Sequence, residues 1–106
     1  MISILQFDVS DESTFLEQAR EALEALAARP GYIRGSAGRS TDEPTRWALV
    51  TEWANVGSYR RALGAYEVKL RATALLAQAI DLPSAFEELL AAAPGAEPSA
   101  GASDRA

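Results

Sequence analysis

Residues 1–9 set Ile2, Ile4, Leu5, Phe7 and Val9 among Ser3, Gln6 and Asp8. Apolar side chains fall on both faces of an extended chain here, the pattern of a strand covered on two sides. Ser10-Asp11-Glu12-Ser13 then supplies N-cap oxygens and first-turn acids. Phe15, Leu16, Ala19, Ala22, Leu23 and Leu26 follow along one stripe of a 3.6-residue period, which predicts an amphipathic helix. Pro30-Gly31 ends it. On its polar face Glu17–Arg20 and Arg20–Glu24 have the spacing of ion pairs worth about 0.2–0.5 kcal/mol each. Tyr32 to Ser40 reads as a second strand, in which Gly35 and Gly38 point to a bulge or a close approach. After a turn at Thr41-Asp42-Glu43-Pro44, Trp47, Leu49, Thr51 and Trp53 alternate with Ala48, Val50 and Glu52, so a third strand completes a hairpin.

Asn55 is a credible N-cap for a second helical stretch, with Tyr59, Leu63, Tyr66 and Leu70 in one stripe that continues through Leu76 and Ile80. Gly64 costs about 1 kcal/mol relative to alanine inside a helix, so a break is expected near it. Tyr66 is expected to pack in the stripe. Pro83 stops the second piece. Ser84 to Ala93 is locally helix-prone, because Ser84-x-x-Glu87 has the spacing of a capping box. From Pro94 onward only small and charged residues remain, so residues 1–93 are expected to form the domain and 94–106 a disordered tail.

Composition narrows the chemistry. The 106 residues fit one core. There is no Cys and no His, which removes disulfides, thiolate nucleophiles, thiolate or imidazole metal sites and the usual acid/base at neutral pH. A formal charge of −5 speaks against a grip on nucleic-acid backbones. No apolar run reaches the roughly 18 residues a membrane span needs, and the chain opens without a basic leader, so a cytoplasmic location is expected. Neither metal nor cofactor is expected; carboxylates alone remain as ligands for a hard cation. The Ala-rich core gives little area per buried position, which favours a partner subunit.

Strand, helix, strand, strand, helix, with one undecided segment, becomes a ferredoxin-like β-α-β-β-α-β unit if that segment is a strand. Arg29-Pro30-Gly31-Tyr32 resembles the PGF turn after the first helix in the antibiotic biosynthesis monooxygenase family, and Trp53 with Tyr59-Arg60 resembles that family's passage from third strand to second helix. The resemblance covers roughly residues 1–92. It implies an α+β fold with an antiparallel sheet, a homodimer closing a dimeric α+β barrel, and a strand at Ser84–Leu90 against the local helix propensity. The haem-degrading members carry an Asn where Leu5 stands and a His that this chain lacks, so haem is not expected as substrate or ligand.

The other branch resembled is that of small cofactor-independent oxygenases acting on polycyclic phenols. It implies catalytic roles for Trp53 and Tyr59, whereas Leu49 stands where that branch has an Asn four residues before the Trp. Arg34 and Arg39 are candidate contacts for an acidic or phenolate substrate, with Leu49 and Leu5 lining the same site. Each has a plainer reading: Trp53 and Tyr59 as core, the arginines as solvated surface, and Glu52 as a base only if burial raised its pKa. The expected function is a monooxygenase using O2 on a small aromatic substrate. A non-catalytic binding subunit, or a cyclase or isomerase on the same frame, are the alternatives.

Overall fold

The computed structural model describes residues 1–101. The elements run β1 (Ile2–Asp8), α1 (Glu12–Ala27), β2 (Tyr32–Arg39), β3 (Arg46–Trp53), α2 (Val56–Gly64), α3 (Tyr66–Leu76), β4 (Ala85–Phe86), β5 (Leu90–Ala91) and β6 (Ser99–Ala100). Four of them make an antiparallel sheet in the order β2-β3-β1-β4, so the fold is the ferredoxin-like α+β unit expected. The undecided segment does enter the sheet as a strand, but with only two residues, Ala85 opposite Ser3 and Phe86 opposite Ile2. The bonds Ile4 N–H to Ser84 O (2.7 Å) and Ile80 N–H to Gln6 O (2.8 Å) hold the incoming chain along the β1 edge. Of the expected tail, Ser99–Ala100 pair with Leu90–Ala91, and residues 102–106 lie outside the described residues.

Register decides which face is core. β1 and β3 place Ser3 opposite Thr51, Leu5 opposite Leu49 and Phe7 opposite Trp47, and all of these except the half-buried Leu5 are buried beneath the helices. Phe7 meets Phe15 of α1 edge to face at 5.2 Å between centroids, and Phe15 in turn meets Trp47 at 5.2 Å. The opposite face carries Ile4, Val50, Ala48 and the pair Arg34–Glu52, and among the described residues no helix covers it.

Asp11 caps α1. Its carboxylate accepts from the Thr14 N–H and the Ser13 hydroxyl, both at 3.1 Å. The Thr14 bonds, chiefly the backbone one, with help from Ser13, lower its pKa below the ordinary 3.8. A lowered acid pKa stabilises the fold above the unfolded value, so this contribution fades as pH falls through the carboxylate range.

Three local expectations change. The bulge in β2 lies between Tyr32 and Arg34, not at the glycines. Tyr66 is 74% exposed and Leu70 65%, so neither joins the core stripe. The helix breaks at Ala65, as Gly64 suggested, and the break resets the helical phase so that Val68, Ala72 and Leu75 face inward instead. The ion pairs foreseen along α1 are also replaced. Arg71 of α3 reaches across to Glu24 (3.1 Å) and Glu21 (3.5 Å), while among the described residues no ion pair joins Glu17 to Arg20 or Arg20 to Glu24. Helix packing thus presents Glu24 with a partner from the neighbouring helix.

Candidate functional site

Trp53 closes β3 where Tyr32 opens β2, and the strand register sets them opposite one another. Their rings meet edge to face, 5.3 Å between centroids at 85°. On its other side Trp53 meets Tyr59 of α2 at 5.7 Å and 57°. Asn55 explains why Tyr59 arrives there. Its side chain accepts from the Ser58 N–H at 2.8 Å, so α2 begins almost directly after β3 and its first turn folds back over the strand end.

The polar atoms of this cluster are largely satisfied from within. Trp53 Nε1–H donates to Thr51 Oγ1 at 2.8 Å. The Ser3 hydroxyl donates to Tyr59 Oη at 3.1 Å, which leaves the phenol's own hydrogen to be given elsewhere. Ser3 and Thr51 sit opposite each other on β1 and β3, so two small hydroxyl residues form a buried polar belt under two aromatic rings. Trp53 is 1% exposed and Tyr59 9%.

Tyr32 differs. Among the described residues its hydroxyl has no hydrogen-bond partner, and burial raises its pKa above the usual 10.0. The ring can lie down over β2 because residue 35 is glycine: a Cβ there would come 2.5 Å from Tyr32 Oη and 2.9 Å from Leu23 Cδ2.

The six residues singled out from the sequence separate into three places. Leu49, fully buried, and Leu5, half-buried, continue the row from Thr51 on the helix side, so they share a face with Trp53 and Tyr59. Arg39 lies at the far end of β2, bonded to Glu12 at 3.0 Å with its guanidinium 5.8 Å from the centre of the Trp47 ring. Arg34 is on the uncovered face, 4.0 Å from Glu52. Neither arginine is brought to the aromatic cluster. Conversely, Tyr32, Ser3 and Thr51 were not singled out as site residues. Thr51 shares the period-two face of Trp53, but only cross-strand register brings Tyr32 and Ser3 there, and spacing along the chain carries no trace of it. Among the described residues no group of three acidic side chains gathers as a metal site, and no helix is long and apolar enough to cross a membrane.

Residues 5–70 match the family model for antibiotic biosynthesis monooxygenase. The chain belongs to the antibiotic biosynthesis monooxygenase family. SnoaB, a cofactor-independent oxygenase from Streptomyces nogalater, is similar in structure with a TM-score of 0.65, at 24% identity over 74% of this chain and 82% of that one. A conserved protein from Methanosarcina mazei Go1 is similar with a TM-score of 0.64, at 17% identity over 79% of this chain and 84% of that one. No curated protein matches by sequence. In this family member, the matched span contains β2, β3 and α2, the elements that bring Tyr32, Trp53 and Tyr59 together.

Proposed function

We propose that this chain is a cofactor-independent monooxygenase that converts a polycyclic phenol to a quinone with O2. The observation that carries the reading is the contact of Trp53 with Tyr59, whose hydroxyl is held by Ser3 with its own proton left free. Family membership supports it, and SnoaB is described as a cofactor-independent oxygenase.

The chemistry asks little of a protein. An electron-rich phenolate gives one electron to O2, and the resulting aryloxyl radical and superoxide combine at a ring carbon. Breaking the O–O bond with loss of the C–H proton leaves one oxygen on the ring as the quinone and one as water, so all four electrons taken by O2 come from the substrate. The protein's task is to bind the ring, favour the phenolate and exclude water. In this reading the Trp53 indole is the stacking wall, Leu49 and Leu5 the apolar floor, and Tyr59 the donor to the substrate oxygen. The uncovered sheet face, with Ile4 37% and Phe86 46% exposed, suits closure by a second copy. Light scattering returning 11.3 kDa at micromolar concentration would remove the homodimer from the proposal.

A non-catalytic binding subunit is the second reading, favoured by the near-complete burial of Trp53. Oxygen uptake with a panel of electron-rich polycyclic phenols separates the two. The expected result is one O2 consumed per quinone formed, with Tyr59→Phe lowering turnover more than it weakens binding. No uptake with any of them at neutral or mildly alkaline pH sinks the oxygenase reading and leaves the fold untouched.

A further inference from the structure

We propose that Tyr32 is a substrate-contacting residue, its hydroxyl anchoring a phenolate or quinone oxygen at the outer rim of the aromatic cluster. The inference deepens the oxygenase reading and rests on it. Four observations converge. The ring of Tyr32 is fixed edge to face on Trp53, and Tyr32 is the half-buried outer member of a cluster whose indole is itself 1% exposed. Its hydroxyl lies over Gly35, in a space that Leu23 Cδ2 and the Thr51 methyl also approach. The other polar ends of the cluster are engaged, Trp53 Nε1–H with Thr51 and Tyr59 Oη with Ser3, while the Tyr32 hydroxyl has no partner among the described residues.

The fourth observation concerns access. Among the described residues the one fully buried side-chain nitrogen or oxygen without a partner is Arg29 Nε. The Tyr32 hydroxyl, equally unpartnered in a half-buried residue, therefore keeps an opening to the outside. A donor on the rim of the cluster, open on one side, can meet an oxygen carried in by a ligand, and a charged acceptor answers it more strongly than water does. Burial also keeps the phenol protonated well into the alkaline range, so it donates where a substrate naphthol has begun to ionise. A hydrogen bond given to the bound phenolate lowers the pKa of that substrate and raises the share of it that can pass an electron to O2.

The test compares α-naphthol with its methyl ether by titration calorimetry at mildly alkaline pH, on wild type, Tyr32→Phe and Gly35→Ala. Tyr32→Phe removes one donor and keeps the ring. The expected result is a naphthol affinity about tenfold weaker, in keeping with one hydrogen bond to a charged oxygen, with the methyl ether binding as in wild type and the melting temperature unchanged. Gly35→Ala keeps the hydroxyl but displaces it, and is expected to show the same selective loss. If Tyr32→Phe binds both ligands as wild type does, or loses both equally, Tyr32 is only part of the wall and the proposal falls. Wild type that binds naphthol selectively through Tyr32 without consuming O2 upholds the contact and sinks the oxygenase reading. Wild type that binds neither ligand overturns both.

Discussion

Trp53→Ala is expected to lower stability by about 3–5 kcal/mol, the range for emptying a large aromatic site in a core. The indole is 1% exposed and touches tyrosines from two other elements, so its removal leaves a cavity that neither β2 nor α2 can fill without moving. The loss also frees Thr51 Oγ1, whose bonded partner is the indole N–H. Domains of this size hold about 5–15 kcal/mol in total, and each kilocalorie moves the midpoint by about 4–8 °C. The melting transition should therefore fall by well over ten degrees, measured by circular dichroism at constant protein concentration. A shift of only a degree or two would mean that the strand end tolerates an empty site, and the tight cluster described above would be wrong. Trp53→Phe, which keeps a ring, should fall between the two.

Gly31→Ala is expected to be nearly as damaging, for a different reason. Gly31 joins α1 to β2 with φ at +88°, a conformation that costs an L-residue about 1–2 kcal/mol. Its carbonyl accepts from Ala54 N–H at 2.7 Å, which fastens the turn to the end of β3. A Cβ there would also run into the Oγ and Cβ of Ser58. Ser58 cannot yield freely, because its N–H and hydroxyl both donate to Asn55 Oδ1, the cap of α2, and a lost cap costs about 1 kcal/mol. The sum is about 2–3 kcal/mol, checked by urea unfolding. Gly64→Ala serves as control: a Cβ there meets nothing within 4 Å, so it should leave the midpoint unchanged or raise it. Equal behaviour of the two variants would refute the argument from the turn.

Both effects show which parts of this molecule can be read along the chain and which cannot. The alternation of Trp47, Leu49, Thr51 and Trp53 fixed their common face, since period two leaves no other arrangement. Asn55 and Gly64 placed the ends of α2 because capping and helix breaking are local acts. Tyr66 and Leu70 stay outside the core because the stripe does not continue across Ala65, where the axis restarts with no side-chain cap. The short entry of Ala85–Phe86 into the sheet defied local propensity, since its bonds go to β1, more than 80 residues earlier. Arg34 looked like a site residue by charge, yet its register opposite Glu52 turns it to the uncovered face. Tyr32 was visible only as the residue after a turn; its partnership with Trp53 exists in the pairing of two strands.

The seam at Ala65 divides the helical layer into units of unequal anchorage. α3 is tied to α1 by Arg71 and by inward-facing Val68, Ala72 and Leu75. The nine-residue α2 is held by its Asn55 cap and by Ser58, Tyr59 and Ala62. Cooperative units that differ in buried contacts open at different free energies. Residues 56–64 are therefore expected to exchange their amide hydrogens faster than residues 66–76, with Tyr59 parting from Trp53 before the α1–α3 pair opens.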